Sequence, residues 1–524
     1  MSKWRKSVVG VLVIATAIFV IIGCAKEPPD KQPEETDKQE GAMTLEEAIE
    51  YNNNLRFAEM FPDHWQSYQK NNEESMTKYV GSYPYNKNDQ VNPLPEGFTY
   101  AQPYLKNLWL GYAFMYEYTN ARGHTYALDD LLHVDRIDRY HEESGLKAAC
   151  YNCKTSMMPA YLEEYGDAFW SMNFNTFREE QKPAMHSLGC TECHDAETME
   201  LVITSVPLND ALTRQGIDWR EASKQEMRSY VCAQCHVEYY FESADHGVAS
   251  KPHFPWDNGY SAQDMYGFYN NAQAERDGIS GQFADWTHAV SEAKMVKIQH
   301  PEFETWIDST HGKLGVSCAD CHMGEVATED GKEISAHHWT SPLKSLPEDL
   351  TCLKCHTGKD AEWAKTQVES AQDNVWPKLI AAQEESVRAH EAVRLAAEFT
   401  GEKHSDYEQL LQQAREYIRE GQLYWDYVSA ENSVGFHNQP KALETLELSQ
   451  QASKNAQEAA KKATNGAISA QISGDIKEIV PPFLEHSRKL QQSQEHLDSH
   501  KWLQYLPLLP EADLMWDGTE RLRE

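Results

Sequence analysis

Ten of the chain's 11 cysteines fall in five Cys-x-x-Cys pairs: Cys150/Cys153, Cys190/Cys193, Cys232/Cys235, Cys318/Cys321 and Cys352/Cys355. At this cysteine frequency chance gives about 0.2 such pairs in the whole chain, so the repetition is a framework. Four pairs are followed directly by histidine: His194, His236, His322 and His356. That is the attachment signature of c-type haem, in which two thioethers pin the porphyrin edge and the adjacent imidazole ligates the iron. Zinc knuckles and disulfides also use paired cysteines. Neither has a reason to place His after the second Cys four times over.

The fifth pair, Cys150-Tyr-Asn-Cys153, is followed by Lys154. A lysine with an ordinary pKa of about 10.4 can bind a metal only after losing its proton to the metal's charge. At one motif in five it reads as a deliberate change of axial ligand. An iron with two imidazoles has no open position and can only carry electrons, so the lysine haem is the candidate for chemistry. Four relay haems need four further distal histidines, drawn from the 18 of 22 that the motifs leave. Spacing alone does not choose them.

The N-terminus explains how such groups could be acquired. Lys3, Arg5 and Lys6 precede an apolar run from Val8 to Ile22 and then Gly23-Cys24, the layout of an export signal. Ile21-Ile22-Gly23-Cys24 also resembles a bacterial lipobox, giving a signal peptide over 1–23 and a lipid anchor at Cys24. An uncleaved anchor helix is the other reading, for which the run is slightly short. Residues 24–42, rich in Pro and charge, read as a disordered tether. The expected location is extracytoplasmic, in the periplasm and membrane-anchored. The net charge of −34 argues against nucleic acid, and means that any anion must be bound in a locally basic pocket.

A Cys-x-x-Cys-Lys haem followed by four Cys-x-x-Cys-His haems resembles the pentahaem cytochrome c nitrite reductases, which form ammonium. The likeness runs from about Thr44 to the C-terminus. It implies a mainly α fold with five haem c groups, and distal ligands at His124 in Arg122-Gly-His124, at His311, and at His437 in Glu431-Asn-Ser-Val-Gly-Phe-His437. His337 is the fourth, with the adjacent His338 as its alternative. Around the open position the resemblance implies a catalytic Tyr239, His300 and Arg136, with Arg139 as fallback for the arginine. It also implies a Ca²⁺ site made by Glu238, Tyr239, Lys297 and Gln299, with Glu238 and Gln299 binding through side chains and the other two through carbonyls, which would fix Tyr239 and His300 from behind.

The activity so implied is six-electron reduction of nitrite at the Lys154 haem. The partners implied are a second copy of the chain and a membrane quinol-oxidising multihaem cytochrome as donor. Two rival classes stay open: an enzyme acting on hydroxylamine or on sulfur oxyanions such as sulfite or tetrathionate, and a conduit with no chemistry of its own. Lys154 speaks against the conduit.

Helix signals dominate the remainder. Thr44-Leu-Glu-Glu47 is a capping box. Tyr407, Leu410, Leu411, Ala414 and Ile418 recur at helical spacing, and an Ala/Gln/Glu/Lys-rich run covers 442–463. The chain therefore reads as one domain over 43–524, with its haem-binding part at 122–437 and long helices within 370–500. No sustained period-two strand pattern is present.

Overall fold

A computed structural model describes residues 45–79, 81–82, 102, 104–112, 114, 118, 121–133, 147–181, 185–241, 251–271, 282–345 and 351–479. All lie in one compact unit, Met43–Glu524. The export signal, the tether, Arg136 and Arg139 fall outside the described residues. Within them, strands are confined to four two-stranded antiparallel hairpins with two or three residues to a strand.

Three long helices, Ala361–Ala397, Tyr407–Ala430 and Gln439–Ala463, carry the larger core. Tyr407, Leu410, Leu411, Ala414 and Ile418 are all buried on the second helix, as their spacing predicts. Asp360 caps the first helix by accepting from the Trp363 amide at 2.8 Å. The second and third helices approach closely where side chains are small. Ser449 Oγ donates to the Gly421 carbonyl at 2.6 Å, and a Cβ on Gly421 would lie 2.8 Å from Ser453 Oγ.

One buried ion pair joins this bundle to the segment that carries His300. Lys297 Nζ meets Asp426 Oδ1 of the second long helix at 3.0 Å, with both side chains 1% exposed. The other carboxylate oxygen accepts from the Ile298 amide at 3.0 Å. Trp109, Phe114 and Tyr118 surround the ammonium at 5.0, 5.6 and 5.5 Å from their ring centres. Removing one partner of such a pair costs about 3–5 kcal/mol, because the other charge is left buried alone.

A second contact between the bundle and the loop before Lys297 is made by His288 and His390. Both are fully buried, with ring centres 3.9 Å apart. His288 Nε2 donates to the Asn107 carbonyl at 2.9 Å, so its Nδ1 faces the Ser291 amide at 3.3 Å as an acceptor. His390 Nδ1 lies 2.9 Å from Ser291 Oγ. Burial pushes His288 down to about 4 and His390 well below the usual imidazole range, and His288 adds to the depression at His390. Between about pH 6.5 and 4 the unfolded chain therefore binds protons that the folded chain refuses. Stability is complete above that window and falls on acidification through it. Denaturation curves across the window should show the loss, and the double variant H288Q/H390Q should flatten it.

A smaller core lies around Cys150–Cys153. Tyr151, Phe169, Trp170, Phe174 and Phe177 are buried there, and Tyr151 stacks on Phe174 at 4.6 Å. The motif with the unusual lysine is therefore held by a rigid aromatic platform.

Candidate active site

The motifs sit at helical starts and turns, where one turn brings both thiols and the next side chain to one side. Cys318–His322 is a short helix opened by a capping box between Ser317 and Asp320. Cys232 ends a longer helix, Lys224–Ala233, opened by another box between Ser223 and Glu226. Neighbouring motifs touch in space. The Cys153 and Cys235 thiols are in hydrogen-bond contact, as are Cys232 and Cys318. Cys321 senses Cys352 and Cys355, and Glu192 of the Cys190 motif senses Cys153.

Each motif histidine faces a histidine brought from elsewhere in the chain. With metal–nitrogen bonds of about 2 Å and a nitrogen roughly 1.1 Å from its ring centre, two imidazoles capping one iron have centres roughly 6.2 Å apart. The structure places His194 and His337 at 6.3 Å, His236 and His124 at 5.9 Å, His322 and His437 at 6.1 Å, and His356 and His311 at 6.4 Å. The donor set and spacing fit four bis-imidazole haems. His337 rather than its neighbour His338 makes the ring contact with His194.

Several of these imidazoles are oriented by a bond at Nδ1, which leaves Nε2 for a metal. His194 Nδ1 lies 2.9 Å from the Met199 carbonyl, His322 Nδ1 2.8 Å from Thr340 and His337 Nδ1 2.9 Å from Ser335. His437 Nδ1 lies 2.6 Å from Glu431 Oε1. Burial alone would raise the Glu431 carboxyl, but His437 and two bonds from Ser433 hold it below the usual range. Glu431, which in the sequence only opens the segment ending in His437, is the partner of that histidine's Nδ1.

Lys154 has no histidine opposite it among these pairs. Its charge is felt by His300, His236 and His124, and His300 in turn packs against Tyr239 at 5.8 Å and His236 at 6.0 Å. The three described members of the expected catalytic set thus share one neighbourhood. Burial, with His236 and Lys154 adding to it, holds His300 well below the usual imidazole range. It is therefore neutral near pH 7.

Glu302, which the sequence did not single out, sits behind this group. Its Oε2 is 3.7 Å from Nδ1 of both His300 and His236. Its Oε1 accepts from the Asn432 amide at 3.2 Å. The signal was available in principle, two residues beyond His300, but glutamate at a helix start is ordinary.

The expected Ca²⁺ ligands also converge. Gln299 donates its amide to Glu238 Oε2 at 2.6 Å, and its side chain to the Lys297 carbonyl at 3.3 Å. Glu238 is fully buried, and burial raises its carboxyl well above the usual range, against the bonds from Gln299 and Tyr269. The Lys297 ammonium is committed to Asp426. A buried carboxyl beside the Gln299 side chain and the Lys297 carbonyl it bonds, with the nearby ammonium already paired elsewhere, fits a hard divalent ion.

Comparison with known proteins bears on all of this. The family profile of cytochrome c552 matches residues 53–506. The cytochrome c nitrite reductase subunit NrfA of Nitratidesulfovibrio vulgaris is 55% identical over 471 residues, 90% of each chain. Cytochrome c-552 of Bacteroides fragilis is 35% identical over 387 residues, 73% of this chain and 71% of that one. A solved structure of cytochrome c nitrite reductase from Desulfovibrio desulfuricans ATCC 27774, in which two calcium sites of the catalytic subunit are described, superposes with a TM-score of 0.78 at 52% identity. It covers 90% of this chain and 98% of that one.

Proposed function

The chain belongs to the cytochrome c552 family, and on that premise we propose that it reduces nitrite to ammonium: NO₂⁻ + 6e⁻ + 8H⁺ → NH₄⁺ + 2H₂O. The observation that carries the reading is the asymmetry of the framework, four facing imidazole pairs against one motif that ends in Lys154.

A haem held by Cys150 and Cys153, with Lys154 as its protein ligand, would supply an open iron position and the electrons. The chain's own residues do the rest. His194/His337, His236/His124, His322/His437 and His356/His311 would hold the four relay haems. His300, neutral and beside Tyr239, delivers protons to the departing oxygens. Glu302, whose Oε2 lies 3.7 Å from Nδ1 of His300, places a carboxylate beside the ring. Tyr239 orients the bound anion through its phenol. Arg136 is proposed as the basic group that an anion requires in so acidic a protein. Glu238, Gln299 and the carbonyls of Lys297 and Tyr239 would hold Ca²⁺, and so brace Tyr239 and His300.

The same reading extends to assembly: one domain over 43–524, a homodimer formed through the long helices, a periplasmic location with a lipid anchor at Cys24, and a membrane quinol-oxidising multihaem cytochrome c as donor. Among the described residues no helix is long and apolar enough to cross a membrane.

The deciding experiment supplies reduced viologen and nitrite to the holoprotein and scores ammonium against nitric oxide and hydroxylamine. Stoichiometric ammonium supports the reading, and nitrite left untouched while sulfite or hydroxylamine is consumed would replace it with the rival enzyme class. Chelation of Ca²⁺ should lower both the melting temperature and the turnover. Added Ca²⁺ should restore them where Mg²⁺, with its stricter octahedral demand, does not.

A further inference from the structure

Asn71 lies in a short turn, Lys70–Asn72, far from every haem motif in sequence, and is 3% exposed. Its side-chain amide makes three bonds. Nδ2 donates to the Tyr68 carbonyl and to the His337 carbonyl, both at 2.7 Å, and Oδ1 accepts from the Trp339 amide at 3.0 Å. The two residues flanking His338 are thus fastened to one amide group. From the helix just before, Ser67 Oγ accepts the His337 amide at 2.7 Å.

The other side of Asn71 holds a different loop. Its main-chain carbonyl accepts from Thr125 Oγ1 at 3.1 Å. Gly123 packs so closely that a Cβ there would lie 2.6 Å from the same oxygen, at a φ of +154° that glycine tolerates. Gly123 and Thr125 flank His124. Trp339 fills the space between the two histidines, 5.2 Å from the His124 ring and 6.3 Å from the His337 ring. The His124 side chain also bonds to the Trp339 main chain.

We infer that Asn71 is a positioning residue shared by the distal ligands of two different haems, those attached at Cys190/Cys193 and at Cys232/Cys235. The inference rests on the ligand pairing proposed above. A buried amide that makes three bonds, with both donors used, resists displacement, because each lost partner leaves a desolvated polar group. Asn71 therefore sets the tilt of His337 and His124 together, and through them the electronic state of two neighbouring haems.

The test is electron paramagnetic resonance and potentiometry on the ferric holoprotein. N71D keeps the side chain's size but turns its donor edge into an acceptor facing two carbonyls. Two of the four low-spin signals should shift in g-value and midpoint potential, while the other two and the Lys154 haem stay put. S67A should move only the His337 haem and T125V only the His124 haem, and these milder variants carry the test if N71D does not fold. No movement, or movement of all five haems together, overturns the inference. H337M and H124M assign the signals: if either leaves every low-spin haem intact, the pairing itself is wrong, whereas normal behaviour of both with silent Ser67, Asn71 and Thr125 variants rejects only the role of Asn71.

Discussion

Replacing His300 by alanine is expected to lower kcat for nitrite by about 10²–10⁴-fold, the usual weight of a positioned proton donor. KM should change less, since the lost group acts mainly as bonds to oxygen break. The neutral imidazole fixes the sign of the pH dependence. Burial and the neighbouring His236 and Lys154 hold His300 well below the usual range. Its titration should therefore leave no inflection between pH 6.5 and 8, and any change in rate that depends on its protonation should appear on the acid side, as a rise where the cationic imidazole becomes the better donor. Comparing pH profiles of the native and H300A proteins checks this, with haem content as the control.

The second large effect concerns Lys154. K154H gives the fifth motif the same ending as the other four, so haem attachment should survive. What changes is the axial donor, from an amine to an imidazole, which alters the charge the iron presents to substrate. Turnover should fall by about 10²-fold, or roughly 2.7 kcal/mol in the barrier. Absorption spectra should still report five haems. A variant with five haems and native turnover would remove the lysine from the mechanism.

How much of this was readable in the sequence follows from how local each feature is. Haem attachment is written within five consecutive residues, because covalent geometry demands it, and all five motifs were legible. So was the buried stripe of the second long helix. Distal ligands are brought from tens to hundreds of residues away, and only resemblance to a family named them. The doubt between His337 and His338 has a simple physical origin: in extended chain successive side chains point to opposite sides, so one of two adjacent histidines faces a given partner and the sequence does not say which. The ring contact at 6.3 Å favours His337. Asn71 and Asp426 were invisible, and Glu302 looked like any glutamate at a helix start, because a polar residue's partners exist only once the fold has assembled.

The spatial order of the motifs differs from their order along the chain. The pair at Cys232/Cys235 touches Cys153 on one side and Cys318 on the other, which makes it the junction between the lysine motif and the Cys318–Cys352 branch. In network terms it is a crossing point, so a substitution at this junction should disturb electron flow between the lysine motif and that branch more than one at the far end of the branch.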